Sequence, residues 1–147
     1  MEQTPAKILI ADDDHLVREA VLKILQMFGY QVTAVASGQE TIDYLDQDNS
    51  VDVIILDINM PNMDGFETIA EINRRKLDVP VLFLTGAGSM EYAVRAINLG
   101  AYDFINKPIE DLDIFNIKIK RALEKRMLRN GQDFQCVDLR GHAYRIV

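Results

Sequence analysis

At 147 residues, with 48% hydrophobic and 27% charged residues, the chain has the make-up of one globular domain with room for a short appendage. A formal net charge of -7 speaks against direct nucleic-acid binding. The single cysteine, Cys136, rules out a disulfide framework or a cysteine-based zinc site. With no basic-then-apolar leader and no apolar run near the ~20 residues of a membrane span, a cytoplasmic protein without a membrane partner is expected.

In chain order, the short β-branched run KILIAD (Lys7 to Asp12) predicts a buried strand. Val17, Val21, Ile24, Leu25 and Phe28 follow at helical spacing, and Gly29 supplies the stop. Tyr30 to Ala36 predicts a second strand. Ser37 and Glu40 have capping-box spacing and open a helix running to about Gln47. DVIIL predicts a third strand. Asp64 with Glu67 caps the next helix, which buries Phe66, Ile69 and Ile72. Val79 to Thr85 predicts the fourth strand, Ser89 caps a helix ending before Gly100, and Tyr102 to Asn106 predicts the fifth strand. The last helix is expected from about Asp111 to Arg129. Strands thus alternate with helices five times and are apolar throughout. That predicts a doubly wound α/β domain, a five-stranded parallel sheet with helices on both faces. Residues 1–6 read as an N-terminal tail, 7–129 as the domain, and 130–147 as a linker or C-terminal extension.

In an open α/β sheet, ligands bind beyond the carboxyl ends of the strands. The first strand ends in Asp12, Asp13 and Asp14. The apolar run VDVIIL delivers a single carboxylate, Asp57, at the middle of the rim. The fourth strand ends at Thr85 and is followed by Gly86, where a missing side chain lets a ligand approach the backbone. The fifth ends in Lys107 and Pro108. Crowded carboxylates need a counter-charge, and an all-oxygen set this sparse suits Mg²⁺, with Mn²⁺ as a substitute. Mg²⁺ takes few protein carboxylates and favours phosphate oxygen. The rim therefore reads as a metal-plus-phosphate site, with Lys107 and Thr85 serving the phosphoryl oxygens and Asp57 as nucleophile.

Four stretches carry a family resemblance: ILIADDD, DINMPNMDG, LFLTG and GAYDFINKP, in that order. From about Lys7 to Arg126 the chain resembles the receiver domain of two-component response regulators. The resemblance implies the flavodoxin-like strand order 2-1-3-4-5. It implies Asp57 as phosphoacceptor, Asp12 and Asp13 as Mg²⁺ ligands together with Asp57 and the backbone carbonyl of Asn59, and Thr85 and Lys107 as phosphoryl-binding groups. It implies a cis bond before Pro108, and phosphate-lifetime tuning by Asn59 and Ala87. It also implies a switch in which Thr85 moves toward the phosphoryl group and Phe104 follows into the vacated space. Many relatives have Tyr at that position; Phe must act through packing alone. The implied phosphate donor is a histidine kinase or phosphotransfer protein. The implied output surface is the fourth helix, fifth strand and fifth helix, meeting a homodimer partner or an output domain.

Asp14 reads as a solvated residue opening the first helix, and neither His15 nor His142 as a phosphate donor. On the last helix, Leu112, Phe115, Ile119, Ala122 and Leu123 form the core stripe, while Ile114, Ile117 and Leu128 fall roughly opposite and suggest a contact surface. Such a module is not a conventional enzyme, although it contributes to its own phosphorylation and dephosphorylation. The alternative is a metal-dependent phosphohydrolase with an aspartyl nucleophile. That chemistry wants a second carboxylate two residues after Asp57, where Asn59 stands. A flavin-type electron carrier on the same sheet would set an acidic rim against a cofactor phosphate. The tail NGQDFQCVDLRGHAYRIV reads either as a short extension or as the start of a longer chain. GHAYRIV, resembling an unfinished β segment, favours the latter.

Overall fold

The computed structural model describes residues 4–86, 90–130, 134–137, 140 and 143–146, with side chains described to residue 126 and at 140. Five strands form one parallel sheet: β1 (Lys7–Ala11), β2 (Gln31–Val35), β3 (Val53–Asp57), β4 (Val81–Thr85) and β5 (Asp103–Asn106). Their spatial order is β2-β1-β3-β4-β5, the expected 2-1-3-4-5. Five helices alternate with them: α1 (His15–Met27), α2 (Gly38–Gln47), α3 (Gly65–Arg74), α4 (Met90–Asn98) and α5 (Leu112–Asn130).

Both faces of the inner strands β1, β3 and β4 are buried, which is why these strands carry no polar alternation. Ile8, Ile10, Val53, Ile55, Leu82 and Leu84 pack with Val21 and Leu25 of α1 and Phe115, Ile119 and Leu123 of α5. Their chain neighbours Leu9, Ile54, Leu56, Val81 and Phe83 pack on the other face with Ile42 of α2, Phe66 and Ile69 of α3 and Ala96 of α4. The period of two along each strand thus sorts side chains between two helical layers.

Local chemistry sets the helix ends. Asp14 caps α1, accepting from the N–H groups of Leu16 and Val17 at 2.9 and 3.3 Å. Ser37 Oγ accepts from the Glu40 N–H at 3.1 Å, and Glu40 reaches back to the Ala36 N–H at 2.9 Å. Asp64 caps α3 through the Glu67 N–H at 2.8 Å. Gly29 and Gly100 follow α1 and α4 with φ of 85° and 89°, a backbone that a side chain would strain. The expected cap Ser89 lies outside the described residues.

Segments outside the five-stranded sheet form a second, small sheet. β6 (Phe134–Val137) pairs antiparallel with β7 (Ala143–Ile146), and Thr4–Pro5, within the stretch read as an N-terminal tail, runs parallel to Phe134 and Gln135. No helix among the described residues is long and apolar enough to cross a membrane.

Candidate functional site

β3 is the central strand, and its last residue is Asp57, 3% exposed. Alternation along β3 puts Asp57 in line with Val53 and Ile55, toward α1 and α5. Leu84 is its register partner on β4, so Thr85, the last residue of β4, stands one step further along the rim. Thr85 is buried, and its carbonyl accepts from the Lys107 N–H at 2.8 Å, tying the end of β4 to the residue that follows β5.

Asp12, just past β1, is fully buried. Its Oδ1 accepts from the Asp14 N–H at 2.9 Å, which leaves Oδ2 facing the rim. Lys107 Nζ lies 2.8 Å from Asp12 Oδ2, an ion pair without hydrogen-bond alignment, and donates to Asp57 Oδ1 at 3.0 Å. Asp13 is exposed at the mouth. Ligand oxygens of Asp12, Asp13 and Asp57 all lie within 4.8 Å of one another.

Burial, reinforced by the charge of Asp12, pushes the Asp57 carboxyl up to about 6, while its hydrogen bond with Lys107 works the other way. Burial acts to lower the Lys107 ammonium, but the paired carboxylates of Asp12 and Asp57 more than offset it and hold it above its ordinary value. Two of the three clustered carboxylates, Asp12 and Asp57, thus share one ammonium. The buried Asp12 Oδ2 has no hydrogen-bond donor, and the surplus is negative charge on oxygen. A hard divalent cation such as Mg²⁺ matches that donor set.

The remaining expected residues are placed as follows. Asn59 is exposed, two residues past Asp57. A Cβ added at Gly86 would meet nothing within 4 Å, so packing does not demand glycine there. The Lys107–Pro108 peptide is cis. Phe104 is half-buried, packed on the α2–α3–α4 side opposite Phe83. Ala87 and His142 lie outside the described residues. His15 is exposed on α1.

Two supporting residues escaped the sequence reading. Arg18 donates to the Asp12 carbonyl at 2.8 Å and pins the turn that carries Asp12 and Asp13. Gly65 opens α3 so close to β3 that a Cβ would stand 2.5 Å from the Asp57 carbonyl oxygen. The glycine is visible within DINMPNMDG, but only the folded chain shows what it makes room for. Arg18 leaves no signal, since one arginine on an amphipathic helix resembles any other.

Topology and rim together define a flavodoxin-like domain of the receiver class. The profile of the response regulator receiver domain matches residues 8–118, and the chain belongs to that family. It is 34% identical over 107 residues to the response regulator SaeR of Staphylococcus aureus, a match covering 73% of this chain and 46% of that protein. The chain therefore spans about half the length of the curated relatives it matches. Among solved structures, the chemotaxis protein CheY4 of Vibrio cholerae is similar at 32% identity and a TM-score of 0.75, covering 82% of this chain and 100% of that one. A response regulator receiver domain protein from Clostridium thermocellum matches at 30% identity and a TM-score of 0.79, covering 84% and 98% of the two chains.

Proposed function

We propose that the domain is a phosphorylation-controlled signalling module, with Asp57 accepting a phosphoryl group from a histidine kinase or phosphotransfer protein. The observation that carries this is the buried Asp57 carboxylate, 3.0 Å from an ammonium and grouped with two further aspartates on the rim. An Asp57 oxygen attacks phosphorus, the P–N bond of the donor phosphohistidine breaks, and the imidazole nitrogen leaves with the electron pair. Lys107 neutralises charge on the phosphoryl oxygens, and Thr85 donates a hydrogen bond to another. Asp12, Asp13, Asp57 and the Asn59 carbonyl are the residues that would hold Mg²⁺, which when bound supplies further charge neutralisation at the phosphoryl group. Arg18 and the Asp14 N–H keep Asp12 oriented for that task. With Asn59 exposed at the position where a hydrolase needs a carboxylic acid, the site favours holding the phosphoryl group over turning it over.

Charge at Asp57 acts on partners only through contacts that differ between two states. Thr85 and Phe104 are the candidates, and α4, β5 and α5 are the surface that would respond. Val94 and Ile97 on α4 and Ile114 and Ile117 on α5 are all more than 40% exposed, an apolar supply suited to a second copy or an output domain. Incubation with acetyl phosphate and Mg²⁺ should add the mass of one phosphoryl group to the protein and none to Asp57→Asn. Equal gain in both would remove Asp57 from the role.

A further inference from the structure

Phe104 is held from three sides. Its N–H donates to Asp103 Oδ1 at 2.8 Å, its carbonyl accepts from Lys118 Nζ at 2.7 Å, and the same ammonium stands 5.2 Å from the centroid of its ring. Lys118 Nζ is also 3.8 Å from Asp103 Oδ1, which closes the clasp. β5 is an edge strand, so these side chains occupy backbone groups that a further strand would otherwise take. Lys118 arrives from the far side of the sheet. Its neighbour Ile119 is buried in the α1–α5 layer, whereas the Phe104 ring packs in the α2–α3–α4 layer. The lysine stem therefore reaches round the sheet edge to bring its ammonium to the ring.

The three contacts respond differently to a move of the ring. Phe104 sits opposite Phe83 in register, and Thr85 lies two residues beyond Phe83 on the same face. A ring swinging inward toward Thr85 leaves the ammonium behind. The bond to the Phe104 carbonyl and the pairing with Asp103 do not depend on the ring's rotamer, so the lysine keeps partners. Attraction between cation and ring thus exists in one arrangement and not in the other, which is what lets a residue bias a two-state equilibrium. A phenylalanine has no hydroxyl with which to form a polar contact, so the ring face is its available handle.

We infer that Lys118, arching over the edge of β5, is a positioning residue that holds the Phe104 ring in its half-buried place and sets how readily phosphorylation at Asp57 engages the switch. This rests on the reading of Phe104 as the switch residue. A cation–ring contact at a partly exposed site changes a two-state ratio by about two- to five-fold.

The test follows the ring signals of ¹³C-labelled Phe104 by NMR, with and without beryllofluoride and Mg²⁺ as the phosphoryl mimic, in wild type, Lys118→Met, Lys118→Gln and Lys118→Arg. In the wild type the signals should move on adding the mimic. In Lys118→Met, before any addition, they should already lie part-way toward the bound position, and the Kd for beryllofluoride should tighten about two- to five-fold. Lys118→Gln keeps a donor for the carbonyl but no charge, and should follow Lys118→Met. Lys118→Arg should restore wild-type behaviour. Mere loosening of the fold would weaken binding of the mimic, not strengthen it. Wild-type signals that move while those of Lys118→Met and Lys118→Gln match wild type throughout would overturn the role of Lys118 alone. Wild-type signals that stay still although beryllofluoride binds would overturn the switch reading of Phe104 and this inference with it.

Discussion

Asp57 illustrates how a buried carboxyl is kept at the expense of the fold that carries it. Its carboxyl is raised to about 6 chiefly by burial, and in the metal-free protein it shares one ammonium with Asp12. A carboxyl whose folded pKa is raised holds its proton more tightly folded than unfolded. Its contribution to stability is therefore fully present below about pH 4 and lost as pH climbs through about 6. Asp57→Asn removes that loss. In chelator, the variant should exceed the wild type in unfolding free energy by on the order of 2 kcal/mol above pH 7, with the gap shrinking toward pH 4. Denaturant titrations of both proteins across that range check it, and a gap independent of pH would refute the burial argument. The rim was legible because each of its members sits at or just past the end of an apolar run: Asp12 after ILIA, Asp57 after VIIL, Thr85 after LFL, Lys107 after FIN. Arg18 was not legible, because its task is to hold a main-chain oxygen and many donors at that place on a helix would look the same.

At the scale of elements, the close approach of α3 to β3 depends on Gly65. Its φ is not positive, so alanine is conformationally permitted there; space alone forbids it. An added Cβ would meet the Asp57 carbonyl oxygen at 2.5 Å, Ile58 Cα at 2.8 Å and the Phe83 ring at 3.0 Å. Alanine normally gains up to about 1 kcal/mol over glycine in a helix interior, less at a first position, whereas forcing backbone aside costs about 1–3 kcal/mol. The clash wins, and Gly65→Ala should lower stability by about 1–2 kcal/mol, read from the denaturant midpoint. A neutral or stabilising result would mean that the Asp57 turn can yield. Alternating strands and helices were readable because burial on both faces leaves unbroken apolar runs, and because Ser37 and Asp64 use local side-chain caps. The pairing of Thr4 and Pro5 with Phe134 and Gln135 was not, since partners this distant in sequence leave no periodic trace in either segment.

For the molecule as a whole, a polar knot at the amino ends of the strands balances the acidic rim at their carboxyl ends. Asp52, 4% exposed, accepts from the Lys7 N–H at 2.8 Å and from Arg126 Nε at 3.2 Å, and Arg126 also donates to the Asp78 carbonyl at 2.6 Å. One side chain on α5 thereby ties together the segments that lead into β3 and β4. Removing one partner of a buried pair leaves an uncompensated charge, so Arg126→Ala should cost about 2–4 kcal/mol. Asp52→Asn in that background should recover part of the loss, because the amide keeps an acceptor for Lys7 without the charge. Thermal unfolding of the four proteins of this cycle measures it, and strict additivity would dissolve the knot. The small sheet shared by residues 4–5, 134–137 and 143–146 lies at this same end, ahead of Lys7. A pull on Thr4 and Pro5 would thus pass to Phe134–Val137, and through it to Ala143–Ile146, along a path that bypasses the acidic rim.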